Sequence, residues 1–425
     1  MSEGQLVAGP TAPMSFGARG SALTAISLGV AGCLAVAWIW VPMSPVPGGF
    51  PAPVDATTVF SAQEIARAES FSRVARWLGW GSLSVASAVS LWLGFSRWGA
   101  RLTAHLHGPR WMRTAQAVLL VLALGRVATL PFAVLAWRWR TRYGLTEQPL
   151  IGLLRDVGVS LLVTAAVTSL AIVLLVWLAQ RLPRSWPLAA GALLAGSTLA
   201  VSFAYPLVVE PLFNDFTPLP AGQLRSDVLS LADREGVQVG EVLVADASRR
   251  TTTLNAYVSG FGSSRRVVLY DTLVDSLPRD QILAVTAHEL AHARQRDVWW
   301  GSLQGAFAVL LALGLLAFVV PSPAPSSVPR VLALLTAASL LSTPAQSAIS
   351  RRIEWRADVD ALAAGADPVA VEALQRNLAV RGLADPSPPA LAYFLFGTHP
   401  QGLQRVALAR RSAESSTPAA DPAPH

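Results

Sequence analysis

Apolar runs, each close to the roughly 20 residues that a helix needs to cross a bilayer's hydrocarbon, alternate along this chain with short arginine-bearing stretches. They predict seven spanning helices, at residues 22–41, 78–96, 115–137, 157–180, 187–208, 302–320 and 328–349. The second and seventh are rich in small and hydroxyl residues, which suit helix–helix contact better than a lipid face. Arg126 falls inside the third run, where an arginine faces an internal cavity or snorkels to the surface; the pattern leaves both open.

Two stretches break the apolar rhythm, residues 212–300 and 350–411. An even number of spans separates them, so they fall on one side of the membrane and can build one domain. In the first, Leu224, Val228 and Leu231 recur at helical spacing and the segment stops at Gly236. Glu241–Ala245 reads as a strand, and Asn255–Tyr270 as two strands joined by a glycine-rich turn. In the second, "SRRIEWRADVDALAAG" reads as a helix from Arg351 that ends at Gly365. The expected organisation is a flexible tail at 1–21, a bundle of spans 1–5 at 22–208, a first soluble part at 209–301, spans 6 and 7 at 302–349, a second soluble part at 350–411 and a disordered tail at 412–425.

Composition agrees with a membrane protein: of 425 residues, 52% are hydrophobic and only 14% charged, with a mean hydropathy of +0.45. The net charge of +7 rests entirely on arginine, for there is no lysine. No basic run with interleaved aromatics occurs, so a nucleic-acid partner is not expected; membrane lipids are. The arginines of residues 350–356, beside the last span, point the soluble parts to the cytoplasm. Without lysine and with abundant Ala, Arg and Pro, the chain looks bacterial, and a multi-pass place in a bacterial cell membrane is expected. The single cysteine, Cys33, has no intrachain partner and excludes a cysteine-rich zinc site.

The chemistry concentrates in "HELAH", residues 288–292. The segment "DQILAVTAHELAHARQ" is helical by its apolar spacing, with Pro278 suited to a helix start and Asp280 to the positive end of its dipole. Positions four apart share a helix face, so His288 and His292 can offer both imidazoles to one metal ion, while Glu289, turned about 100° away, can serve as general base. Two solvated or core histidines on an ordinary helix are the plainer alternative. A catalytic zinc needs a third protein ligand; Glu354 is the candidate, and Asp358, four residues on, can orient a liganding ring. An exposed acidic helix face competes with that reading of the pair. His105, His107 and His425 are not assigned to the metal.

These residues and their neighbours resemble the membrane-embedded zinc metallopeptidases of the CAAX prenyl protease 1 type, gluzincins that pair an H-E-x-x-H helix with a later E-x-x-x-D helix. "EPLFNDFTPL" (Glu210–Leu219), "NAYVSGFGSSRRVVLYDTLV" (Asn255–Val274), "SRRIEWRAD" (Ser350–Asp358) and "THPQGLQR" (Thr398–Arg405) are similar to family elements in the family's order. The resemblance implies zinc on His288, His292 and Glu354, with Glu289 as general base and Asp358 behind the ligands. It further implies that His399 stabilises the oxyanion, that Arg405 organises the cleft, and that Asn255 and Ala256 lie on an edge strand that pairs with substrate. It implies a mainly α polytopic bundle with a zincin-like α+β catalytic domain carrying a small sheet. Gln401 departs from the family, which often has a second proline there.

The expected activity is zinc-dependent endopeptidase cleavage of a peptide or protein substrate, either lipidated or a misfolded membrane protein. Two other readings compete. A heat-shock-type quality-control membrane protease shares the zinc motif but usually has fewer spans. A silent scaffold with a structural metal would need a fourth protein ligand, which is not evident, and a transporter would show ionisable residues in several spans.

Overall fold

The computed structural model describes residues 14–260, 262 and 265–416. Seven of its helices are long and apolar enough to cross a membrane, and each predicted run overlaps one of them. In chain order the helices are α1 (Phe16–Trp40), α2 (Ala62–Phe95), the short α3 (Arg97–Ala104), α4 (Arg110–Arg142), α5 (Leu150–Arg181) and α6 (Trp186–Val208). After the first soluble part, with α7 (Gln223–Arg234), α8 (Asp271–Val274) and α9 (Arg279–Arg294), come α10 (Asp297–Val319) and α11 (Val328–Ala363). The chain closes with α12 (Pro368–Gly382), α13 (Ala390–Phe396) and α14 (Gly402–Ser416).

Helix ends differ from the expected boundaries, for local reasons. Residues 16–21, expected in the tail, are the first turns of α1: the Ser15 hydroxyl accepts the Ala18 N–H at 3.3 Å and starts the helix there. Residues 412–416, also expected to be disordered, continue α14. The rest of both expected tails, 1–13 and 417–425, lies outside the described residues. The seventh span and the helix expected from Arg351 are one element, α11, which runs through Pro344 without a break. The arginines at 351 and 352 mark where the chain leaves hydrocarbon, not where the helix stops.

Small residues set the tightest contact in the bundle. Ala18, Ala22, Ala25, Gly29, Gly32 and Val36 make one buried stripe along α1, facing α10. A Cβ on Gly29 would stand 2.5 Å from the Leu311 nitrogen, and one on Gly314 would stand 2.8 Å from the Ala22 carbonyl oxygen. Close backbone approach of this kind substitutes for hydrophobic driving force inside lipid.

The soluble parts hold a four-stranded sheet of β1 (Phe216–Pro218), β2 (Glu241–Ala245), β3 (Ala256–Ser259) and β4 (Arg266–Tyr270) in the order β1-β2-β4-β3. The β2–β4 pair is parallel, and β3–β4 is the expected antiparallel hairpin, with Ala256 opposite Leu269. One core joins the sheet to the histidine helix: Val228 and Leu231 of α7, Val267 and Leu269 of β4, and Ile282 and Leu290 of α9 are buried together. The arrangement leaves β3 as an edge, next to α9.

Candidate metal centre

Helices α9 and α11 cross so that His288, His292 and Glu354 converge, with one ligand atom of each within 4.8 Å of the others. The His288 Nε2 and His292 Nε2 atoms are 3.2 Å apart, and Glu354 places Oε2 3.2 Å from the first and Oε1 3.6 Å from the second. An ion about 2.0–2.1 Å from two tetrahedrally disposed nitrogens sets them roughly 3.3 Å apart, so the donor spacing fits zinc.

The outer ring nitrogens are held as well. His288 Nδ1 donates to Asp358 Oδ1 at 2.9 Å, and His292 Nδ1 to Asp297 Oδ2 at 2.8 Å. Each carboxylate fixes its ring with Nε2 turned inward, the tautomer a metal requires. Asp358 is gripped in turn by the buried Arg405, whose Nε donates at 2.8 Å. Burial works against the charge on Arg405, and the Asp358 carboxylate outweighs it and raises its pKa. Asp297 receives the Trp40 indole N–H at 2.7 Å and a charge-assisted bond from Arg356.

Sequence reasoning missed Asp297, Trp40 and Arg356. The available signal was an acid five residues after His292. That spacing reaches back to the ring only because Arg296, at φ 57°, breaks α9 from α10 in the left-handed region.

Electrostatically the site is built to receive a cation. Burial works against imidazolium at His292, yet Asp297 and Glu354 push its pKa up to about 10; His288 is raised too, burial being outweighed by Asp358 and Glu354. The carboxylates thus create a demand for positive charge that protons or a metal ion can meet. Burial pushes the Glu289 carboxyl up, towards the range where it can both take and return a proton.

His288, Glu289, His292 and Glu354 open onto a cavity of about 1200 Å3 that continues between α10 and α11 past Gln304 and Gln346. His399 lines it as well, with Nε2 3.3 Å from Glu354 Oε2 and its side chain 56% exposed. Asn255 and Ala256 border the same cavity at the start of edge strand β3. Every site residue expected from the sequence therefore lies at this one centre or on its rim. A second cavity, of about 690 Å3 and mostly apolar, lies behind β3 among α5, α6, α10 and α11.

A helical membrane protein with an H-E-x-x-H helix and a later acidic side chain opening onto one large cavity has the architecture of a membrane-embedded metallopeptidase. Known proteins agree: residues 218–413 match peptidase family M48, and residues 45–215 match the CAAX prenyl protease N-terminal domain of five membrane helices. The chain thus carries a peptidase M48 domain behind a CAAX prenyl protease N-terminal membrane domain.

Among its relatives, the uncharacterized metalloprotease YhfN of Bacillus subtilis is 28% identical over 311 residues, 70% of this chain and 73% of that one. CAAX prenyl protease 1 of Saccharomyces cerevisiae is 44% identical over 94 residues, 22% of this chain and 21% of that one. The crystal structure of S. mikatae Ste24p has the same fold, with a TM-score of 0.75 at 20% identity, covering 94% of this chain and 100% of that one. Seven spans and the matching N-terminal domain favour this reading over the heat-shock-type protease.

Proposed function

We propose that the chain is a zinc endopeptidase whose ligands are His288, His292 and Glu354. The observation that carries this is the convergence of these three side chains within 4.8 Å, with Glu289 beside them on the cavity wall. Bound zinc would supply a Lewis acid and lower the pKa of water near it. Glu289 takes the proton of the attacking water and returns it to the leaving amine, a task for which burial has raised its pKa. His399, on the open side of Glu354, donates to the oxygen that gains charge at the scissile carbonyl. Asp358 and Asp297 hold the two imidazoles, and Arg405 holds Asp358. The substrate enters extended and adds a strand beside Asn255 and Ala256 on β3.

A reporter protein without stable structure tests this, offered to detergent-purified wild type and to Glu289→Gln with zinc content measured in both. About one zinc per chain in each, with cleavage by wild type alone, is the expected result. Wild-type cleavage by the variant would overturn the mechanism.

The apolar cavity behind β3 favours a substrate with a large hydrocarbon part, such as a lipidated peptide, over a small polar one. A misfolded membrane segment has the same chemistry, and competition between a prenylated and an unmodified peptide separates the two. The arginine-rich start of the second soluble part supports a cytoplasmic catalytic domain in a bacterial cell membrane.

A further inference from the structure

Immediately before His399 the chain forms α13, a seven-residue helix with an uncovered apolar face. Leu391 is 66% exposed and Phe394, three residues on along the same face, is 55% exposed, while Ala392 is buried. The helix is clamped to α11 where the apolar run 328–349 ends. The Ser347 hydroxyl donates to the Leu395 carbonyl at 2.9 Å, and the Arg351 guanidinium donates to the carbonyls of Tyr393 and Gly397 at 3.2 and 2.6 Å. Arg351 also stands 5.0 Å from the Tyr393 ring centroid.

Less than two turns before Ser347 on α11, Leu341 is 83% exposed, within the apolar part of that helix. The exposed face of α13 thus stands close to a helix long and apolar enough to cross a membrane. Its residue types, a phenylalanine and a leucine beside a tyrosine and an arginine, are those that settle at the headgroup boundary.

We propose that α13 is an interfacial anchor, its apolar face sunk into the bilayer surface, and that this anchor sets the height of His399 above the metal site. The link is short and tight. A Cβ on Gly397 would stand 2.4 Å from Tyr393 Cδ2 and 2.7 Å from the Tyr393 carbonyl oxygen, so only glycine lets the chain turn there. Two residues later, His399 Nε2 reaches 3.3 Å from Glu354. The positioning half rests on the oxyanion role proposed for His399; the anchor does not.

The test uses the full chain with Cys33→Ser, in nanodiscs of phosphatidylcholine. A cysteine at Phe394 carries an environment-sensitive fluorophore, and one at the exposed Asp233 of α7 is the aqueous control. Spin-labelled lipid is expected to quench the label at 394 and aqueous iodide the label at 233. Iodide quenching of 394 to the same extent as 233 would overturn the anchor, whether or not the protein is active. In Leu391→Gln/Phe394→Gln, kcat is expected to fall roughly tenfold or more while KM and zinc content hold, because small misplacements of a catalytic donor are costly. An unchanged kcat would overturn the positioning. Full activity in His399→Ala would remove the role of His399 itself, and the quenching result would still decide the anchor.

Discussion

His292 shows how much of the site lies outside the ligand set. Its ring is aimed by Asp297, and Asp297 is in turn held by Trp40 and Arg356, from helices far apart in sequence. Asp297→Ala should therefore weaken zinc affinity by about 10- to 100-fold, measured by competition with a chelating dye, without touching a ligand. Glu289→Gln should behave in the opposite way, keeping zinc and losing about 10²–10⁴ in kcat. His288, Glu289 and His292 were readable together because their spacing on one helix sets their directions, whereas Glu354, on another helix, could be named only as a candidate. Asp297 was not readable, because its reach depends on the single left-handed residue Arg296.

Glu235 adds a separate residue-scale prediction. It is buried at the end of α7 with neither carboxylate oxygen hydrogen-bonded, and burial pushes its pKa up to about 7. The folded state thus holds this proton more tightly than the unfolded chain, whose carboxyl titrates near 4.3. Its contribution to stability is complete below about pH 4 and is lost as pH rises towards and through 7. Glu235→Gln should raise thermal stability at pH 8, by the order of 1–2 kcal/mol, and make little difference at pH 4.5, as read by melting at the two pH values.

At the scale of elements, the spans were legible because length and hydropathy decide them, whereas their ends were not, because single caps and packing contacts decide those. Ser15 starts α1 inside what composition reads as tail, and α11 carries two arginines out of the membrane without breaking. Neither the sheet order nor the fit of α1 to α10 could be read from hydropathy. Gly29→Leu should disrupt that fit, since the Leu311 backbone occupies the space; a loss of monodisperse protein and a lower melting temperature in detergent are expected.

The β3–β4 hairpin is tied to the end of α6 by Arg266, which bonds the Pro206 carbonyl, the Glu210 carboxylate at 3.1 Å and the Ser259 hydroxyl. Arg266→Met should loosen the edge strand and raise KM for a peptide substrate several-fold, with zinc content unchanged.

Across the whole molecule, the parity of the spans already said that the two soluble parts share one side, and the fold uses this to build its site. His288 and His292 come from the first part and Glu354 from the second, with α10 and the membrane portion of α11 between them. A metal ion held by the three side chains would staple the two parts together. Chelation should abolish activity and also lower the melting temperature, with both restored by added zinc, because a ligand that binds only the folded state stabilises it by mass action. What no local pattern supplies is the shape and lining of the cavity, which arise from how helices lean on one another.

The unbroken course of α11 couples coordination to the bilayer. At about 1.5 Å per residue its 36 residues span roughly 54 Å, and Glu354 rides some 22 Å from the middle of the membrane portion. A change of about 3° in tilt, the kind a thinner or thicker bilayer imposes, would swing that carboxylate by roughly 1 Å unless Pro344 flexes to absorb it. Lipid composition would thereby act on the proposed third ligand, with Pro344 the joint that decides how much of the tilt reaches it.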